Sequence, residues 1–176
     1  MRVIGGEFRS RRLKTLPGLG VRPTPDRLRE ALFNVLARRI EDAVFLDAYA
    51  GCGAVGIEAL SRGAARAVFI EQNRAACAVI HENLAALGVE NRALVIRGKA
   101  TLYLVAQAAG IVFLDPPYTQ PGEYTSALEL LGRRPPPLVV VQHAWRFAPA
   151  EQYGALHRSR LLRQGDNALS FYAAIE

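Results

Sequence analysis

The chain is poor in several things, and each shortage excludes something. It has two cysteines, Cys52 and Cys77, far apart among its 176 residues. That is too few for a disulfide framework or a cysteine-bound metal cluster, and it fits a reducing, cytoplasmic compartment. No apolar run approaches the ~20 residues needed to cross a bilayer. The opening MRVIGGEFRSRRLK lacks the apolar stretch of a secretory leader, so none is expected. Lysine is nearly missing, since 20 of the 22 cations are arginine; no function is read into that. Repeats, low-complexity tracts and an interdomain linker are also missing. With 51% hydrophobic residues, one compact domain, expected to be monomeric, is the simplest outcome.

What is present is unevenly placed. The net charge is +6; residues 1–40 hold ten Arg and Lys against three acids, and residues 41–176 hold twelve against thirteen. The basic excess is therefore N-terminal. Such a stripe suits a polyanionic partner, nucleic acid above all, or serves only solubility. Val3-Ile4, Gly5-Gly6 and EFRSRRL read as a small basic β-hairpin. After a Gly- and Pro-rich loop, Thr24 is the expected N-cap of a helix, with Pro25 in its first position and Asp26 complementing the dipole. Leu28, Ala31, Leu32, Val35 and Leu36 recur at helical spacing, and Arg27, Arg29, Glu30 and Arg38 are expected on the opposite, wet face.

From residue 44 strands and helices alternate: strands at 44–49, 67–71, 93–97, 111–115 and 137–144, with helices between them over 53–63, 73–88, 101–109 and 123–132. Short joints between such elements imply βαβ units and a parallel, doubly wound α/β sheet. LHRSRLLRQ, the turn GDN and ALSFYAAIE close the chain as an antiparallel hairpin, in which Asp166 and Asn167 are turn residues. The one boundary lies near residue 40, between an N-terminal arm (1–40) and an α/β body (41–176).

LDAYAGCGAVGIEAL places Gly51, Gly53 and Gly56 as G-x-G-x-x-G between a strand and a helix, where backbone can approach a nucleotide closely. Glu71, at the end of the next strand, is placed to accept from a ribose diol. A dinucleotide and S-adenosylmethionine (SAM) both carry adenosine. Asp47, four residues before Gly51, would repel a pyrophosphate and favour the sulfonium and ammonium of SAM. Little chain also remains for a hydride-transfer substrate domain. Cys52 has no neighbouring base in sequence and reads as structural.

IVFLDPPY then ends the fourth body strand in Asp115, Pro116, Pro117 and Tyr118. In a sheet of order 3-2-1-4-5 this strand adjoins the first, and ligands bind beyond their carboxyl ends. The Asp115 carboxylate and the Pro116 carbonyl, held by the fixed φ of two prolines, could accept both hydrogens of a planar amine. That would localise its lone pair and stabilise charge developing on nitrogen. Tyr118 offers a ring for a flipped base. Neither a metal nor a covalent intermediate is required. The elbow alone does not choose among guanine N2, adenine N6 and a protein amide, and a nucleic-acid-binding module without catalysis stays open.

DAYAGCGAVG with DPPY resembles the amino-methylating SAM-dependent methyltransferases, and VIGGEFRSRRL, RPTPDRLREALFNVL and GIEALSRGA resemble the RsmD type among them. The resemblance covers nearly the whole chain. It implies a Rossmann-like class I fold, SAM as donor (S-adenosylhomocysteine as product), and N2-methylation of one guanine in small-subunit rRNA, within an assembled or assembling subunit. It further implies that Asp47, Tyr49, Gly51, Gly53, Gly56, Glu71 and Gln72 hold the cofactor. Asp115, Pro116, Pro117 and Tyr118 would hold the base. Arg2, Arg9, Arg11, Arg12, Lys14, Arg22 and Thr24 would meet RNA. Two positions depart from the pattern. Lys99 replaces an aspartate beside the adenine, so backbone at Gly98, Lys99 and Ala100 is expected to substitute. Gln142 stands where an acid is expected. His143 reads as structural.

Overall fold

The computed structural model describes residues 1–18 and 24–175. Its centre is one sheet of order β3-β2-β1-β4-β5-β8-β7-β6. The parallel strands are β1 (Val44–Asp47), β2 (Arg66–Glu71), β3 (Ala93–Arg97), β4 (Ile111–Leu114) and β5 (Leu138–Ala144). The antiparallel edge is β6 (Gln152–Tyr153), β7 (Leu156–Gln164) and β8 (Asn167–Ala174). Strands covered on both faces must be apolar throughout, and all four residues of β4 are buried. The helices are α1 (Asp26–Leu36), α2 (Ala54–Ser61), α3 (Arg74–Leu87), α4 (Ala100–Tyr103) and α5 (Pro121–Arg133). Asn73 caps α3 by accepting from Ala76 N–H at 3.0 Å, and Gly88 ends it at φ 68°. One core layer lies under α4 and α5, and a second lies under α1. No helix among the described residues is long and apolar enough to cross a membrane.

The N-terminal segment differs from its expected form. The hairpin reduces to a single antiparallel bridge, Arg2 to Arg12, with Gly6 and Ser10 at positive φ. At Gly6 a Cβ would lie 1.9 Å from the Ser61 carbonyl oxygen, so only glycine fits against α2. Val3, Phe8 and Leu13 are buried beside α2 and α3, and packing is continuous across residue 40.

Arg29 is the sharpest correction: it is fully buried. It shares a helical stripe with Phe33 and Leu36, at spacings of four and three, so its place on the inner face follows from the period rather than from its charge. Its Nη2 donates to Arg2 O (2.7 Å) and to Asp26 Oδ1 (2.9 Å), and its Nη1 lies 4.0 Å from Glu58 Oε2. Glu58, also fully buried, accepts from Ile4 N–H, Gly5 N–H and Arg62 Nε at 2.8–2.9 Å. A charged cluster thus bolts the first residues to α1 and α2. Among the described residues Arg29 Nε and Nη1 have no hydrogen-bond partner, a cost that the surrounding packing sustains.

Candidate active site

The carboxyl ends of the parallel strands open into a cavity of about 940 Å³. Gly51, Glu71, Gln72, Gly98, Lys99 and Ala100 line it together with Tyr49 and with Asp115, Pro116, Pro117 and Tyr118. The register explains the meeting. β1 pairs with β4 through Asp47 and Phe113, so the loop after β1 and the elbow two residues beyond Phe113 emerge side by side.

The three glycines divide the labour. Gly51 has φ +57°, and a Cβ there would meet nothing within 4 Å, so the missing side chain leaves open cavity. Gly53 (φ +86°) starts α2, and a Cβ on Gly56 would lie 2.3 Å from Phe69 Cε1. Neither lines the cavity; they let α2 sit tightly on the sheet. Glu71 Oε2 accepts from Gly51 N–H at 2.8 Å and Oε1 from Asn73 N–H at 2.9 Å, so this carboxylate sets the loop as well as facing the cavity.

Asp47 departs from its expected place. It is 1% exposed, does not line the cavity, and accepts from Gly56 N–H at 3.0 Å. Burial pushes its carboxyl up to about 7, against the Gly56 bond, and Glu71 adds to the rise. It ties the turn from beneath. The burial of Cys52 pushes its thiol up, so it is not a poised thiolate. Lys99 is exposed at the rim, and a Cβ on Gly98 would strike the Tyr103 ring at 2.2 Å. The backbone over 98–100 is thereby brought close to the cavity wall.

At the elbow, burial raises the Asp115 carboxyl to about 8, the Asp47 charge adds to this, and a Thr24 hydrogen bond opposes it. Thr24 is the second correction. The N-cap is Pro25, without a side-chain cap bond, and the Thr24 hydroxyl turns inward instead. Its Oγ1 lies 3.1 Å from Gln142 Oε1 and 3.4 Å from Asp115 Oδ2. Tyr124, fully buried, donates to the Pro116 carbonyl at 3.2 Å and leaves that oxygen a second lone pair. Tyr118 is 42% exposed and donates to Asn167 Oδ1 at 2.7 Å. Tyr49 donates to Glu123 Oε2 at 2.9 Å, and burial followed by that carboxylate holds its phenol above the ordinary range.

Sequence reasoning missed Gln142 as a lining residue with a partner, and missed Glu123, Tyr124 and Asn167 altogether as site residues. Asn167 carried only a turn signal, and Glu123 and Tyr124 only a helix signal. His143 is buried between Ser170 Oγ and Ala144 O, at 2.8 Å each, outside the cavity, and burial lowers its pKa. Of the expected RNA-contacting cations, Lys14 pairs with Glu82 and Arg11 donates to Ala86 O, while Arg2, Arg9 and Arg12 have exposed side chains; Arg22 lies outside the described residues. Among the described residues no three His, Cys, Asp or Glu side chains gather as metal ligands.

A mostly parallel sheet with a glycine joint after β1, a carboxylate ending β2 and an antiparallel edge beyond β5 is the fold of the class I SAM-dependent methyltransferases. A family model described as Conserved hypothetical protein 95 matches residues 1–173, and the chain belongs to that family, the RsmD-type methyltransferases. Ribosomal RNA small subunit methyltransferase D of Escherichia coli K12 is 48% identical over 120 residues, 67% of this chain and 60% of that protein. The matched stretch therefore spans less than two thirds of that relative. Putative rRNA methyltransferase YlbH of Bacillus subtilis is 38% identical over 125 residues, 68% of each chain. Putative methyltransferase yhhF from Escherichia coli superposes with a TM-score of 0.85 at 35% identity, covering 100% of this chain and 98% of its own. An RNA methyltransferase from Salinibacter ruber, in complex with S-adenosyl-L-homocysteine, shares the fold at TM-score 0.67 and 18% identity, over 88% of this chain and 95% of that one. The cofactor of this fold is SAM, and the residues present fit it: Gly51 leaves room, Glu71 offers a diol acceptor, and the backbone at 98–100 flanks the end of β3.

Proposed function

We propose that the protein methylates the exocyclic N2 amine of one guanine in small-subunit rRNA, on an assembled or assembling subunit. The observation that carries this is the continuous cavity that Gly51 and Glu71 line together with the Asp115–Pro116 elbow. When bound, SAM supplies an electrophilic methyl group on a cationic sulfur. Everything else falls to the chain. Asp115, ionised, accepts one amine hydrogen, and the free lone pair of the Pro116 carbonyl accepts the other. The two prolines and the Tyr124 hydroxyl hold that carbonyl, so no reorganisation is needed as positive charge develops on nitrogen. Tyr118, anchored through Asn167, presents its ring to the extruded base. Asp115 afterwards takes the proton released from nitrogen.

Arg2, Arg9 and Arg12, with Arg22, are the cations proposed to meet RNA phosphates; Arg11 and Lys14 would first have to leave their protein partners. Both named rRNA methyltransferases among the relatives support an RNA substrate over DNA or protein. The test is transfer of labelled methyl from SAM to small subunits lacking the modification, with nucleoside mass spectrometry of the product. Absence of N2-methylguanosine from the wild-type reaction, or full transfer by Asp115→Ala, defeats the reading; N6-methyladenosine would redirect it.

A further inference from the structure

Gln142 is 3% exposed, yet it lines the cavity beside Asp115. Its Oε1 is engaged by the Thr24 hydroxyl at 3.1 Å. Among the described residues no protein group accepts from its amide nitrogen, and that nitrogen is not among the atoms sealed away without a partner. The donor pair of a nearly buried amide therefore opens onto the elbow. An amide N–H left unpaired in such a place is costly, which makes it a receptor for an acceptor atom brought by a ligand.

The base proposed above has the matching edge, and the inference rests on that reading. In guanine the amine carbon is bonded to two ring nitrogens: N1 carries a proton and N3 is a bare acceptor. Asp115 and the Pro116 carbonyl are acceptors and suit the amine hydrogens; the Gln142 nitrogen is the donor beside them. We infer that Gln142 reads the target base by donating to N3, and that Thr24 is a positioning residue that fixes which way the Gln142 amide faces. The single Thr24 proton can serve Gln142 Oε1 or Asp115 Oδ2 but not both at once. With that proton on Oε1, the amide nitrogen faces the cavity. Without the hydroxyl, the amide is free to rotate and offer its oxygen, which repels N3.

The measurements are methyl transfer to unmodified small subunits and SAM affinity by calorimetry, for wild type, Gln142→Ala, Gln142→Met, Thr24→Val and Thr24→Ser. Gln142→Met keeps the length of the side chain but loses the donor. It should lower kcat/KM by at least ~30-fold, the scale of one unpaired polar group, with SAM affinity unchanged. Thr24→Val should lower kcat/KM by roughly tenfold, and Thr24→Ser should restore it to within about threefold of wild type. The decisive arm places 3-deazaguanosine at the target in reconstituted subunits. Wild type should then fall to the level of Gln142→Ala, while Gln142→Ala itself is insensitive to the swap. Equal losses by wild type and Gln142→Ala on the analogue overturn the proposal, as does Gln142→Met at wild-type rate. Parallel loss of SAM binding would make Gln142 merely structural. Failure of wild type to methylate guanine at all strikes the parent reading instead, and the two failures are told apart by the wild-type control.

Discussion

Asp115→Asn should raise stability in alkali while abolishing transfer. The folded protein lifts this carboxyl from 3.8 to about 8. In a sealed site that would amount to roughly 6 kcal/mol at 1.36 kcal/mol per pH unit. The side chain keeps access to the cavity, which reduces the figure to about 2–3 kcal/mol. The sign follows from proton counting. Between pH 4 and 8 the folded state holds a proton that the unfolded chain has released, so this contribution is full below pH 4 and is lost as pH rises through 8. Asparagine preserves the shape and removes the proton. Wild type and variant should therefore unfold within about 2 °C of one another at pH 5, and the variant should melt roughly 5–10 °C higher at pH 9. Asp47, itself lifted to about 7, leaves both proteins a residual slope. Thermal unfolding across pH, beside methyl transfer, reads both effects. Identical pH dependence of stability in the two proteins would refute the assignment of a strained, proton-holding Asp115, even if activity were lost.

Other perturbations test the rest of the site and its support. If ionised Asp115 is the active form, kcat/KM should rise with pH up to about 8 and then level, because that ratio reports the free enzyme; a profile flat from pH 6 to 9 would contradict it. Gly56→Ala, with its Cβ 2.3 Å from Phe69, should cost about 1–3 kcal/mol in urea unfolding, since the ring must shift in a packed core. Arg29→Ala leaves Glu58 buried and short of charge, and should cost about 3–5 kcal/mol; a loss under 1 kcal/mol would show the cluster to be incidental. Replacing Arg9 and Arg12 by glutamine should flatten the salt dependence of RNA affinity by ~0.7 for each phosphate no longer neutralised, with SAM affinity unchanged.

What could be read from sequence was local. The G-x-G-x-x-G joint, Glu71 and the Asp115–Tyr118 elbow each sit within one strand and its following turn, and the alternation of strands and helices fixes their relative place. What escaped reading is held by long-range pairs. Thr24 and Gln142 are 118 residues apart, and Tyr118 and Asn167 are 49 apart. Nothing in a turn such as GDN says that its asparagine will reach an aromatic beyond another strand. Thr24 misled because a threonine before Pro-Asp is a good N-cap; the fixed φ of Pro25 starts the helix unaided and frees the hydroxyl for Asp115 and Gln142. Asp47 was legible as a carboxylate at a strand end, but its bond to the Gly56 N–H nine residues on was not. A carboxylate at a strand end can face a ligand or tie its own loop, and only the register decides. Arg29 was legible by period, but its charge argued the other way.

The Arg29–Glu58 cluster also decides how the basic segment can be dissected. Ile4 and Gly5 give their N–H groups to Glu58, and the Arg2 carbonyl takes a hydrogen bond from Arg29. Deleting the first dozen residues would therefore remove more than positive charge. It would strip two donors from one buried ion and an acceptor from another, and expose the apolar surface that Val3 and Phe8 cover. A shortened protein that failed on RNA would have lost its interior as well as its arginines. Only point changes on the outer side chains can separate grip from integrity, because the same few residues are skin on one side and keystone on the other.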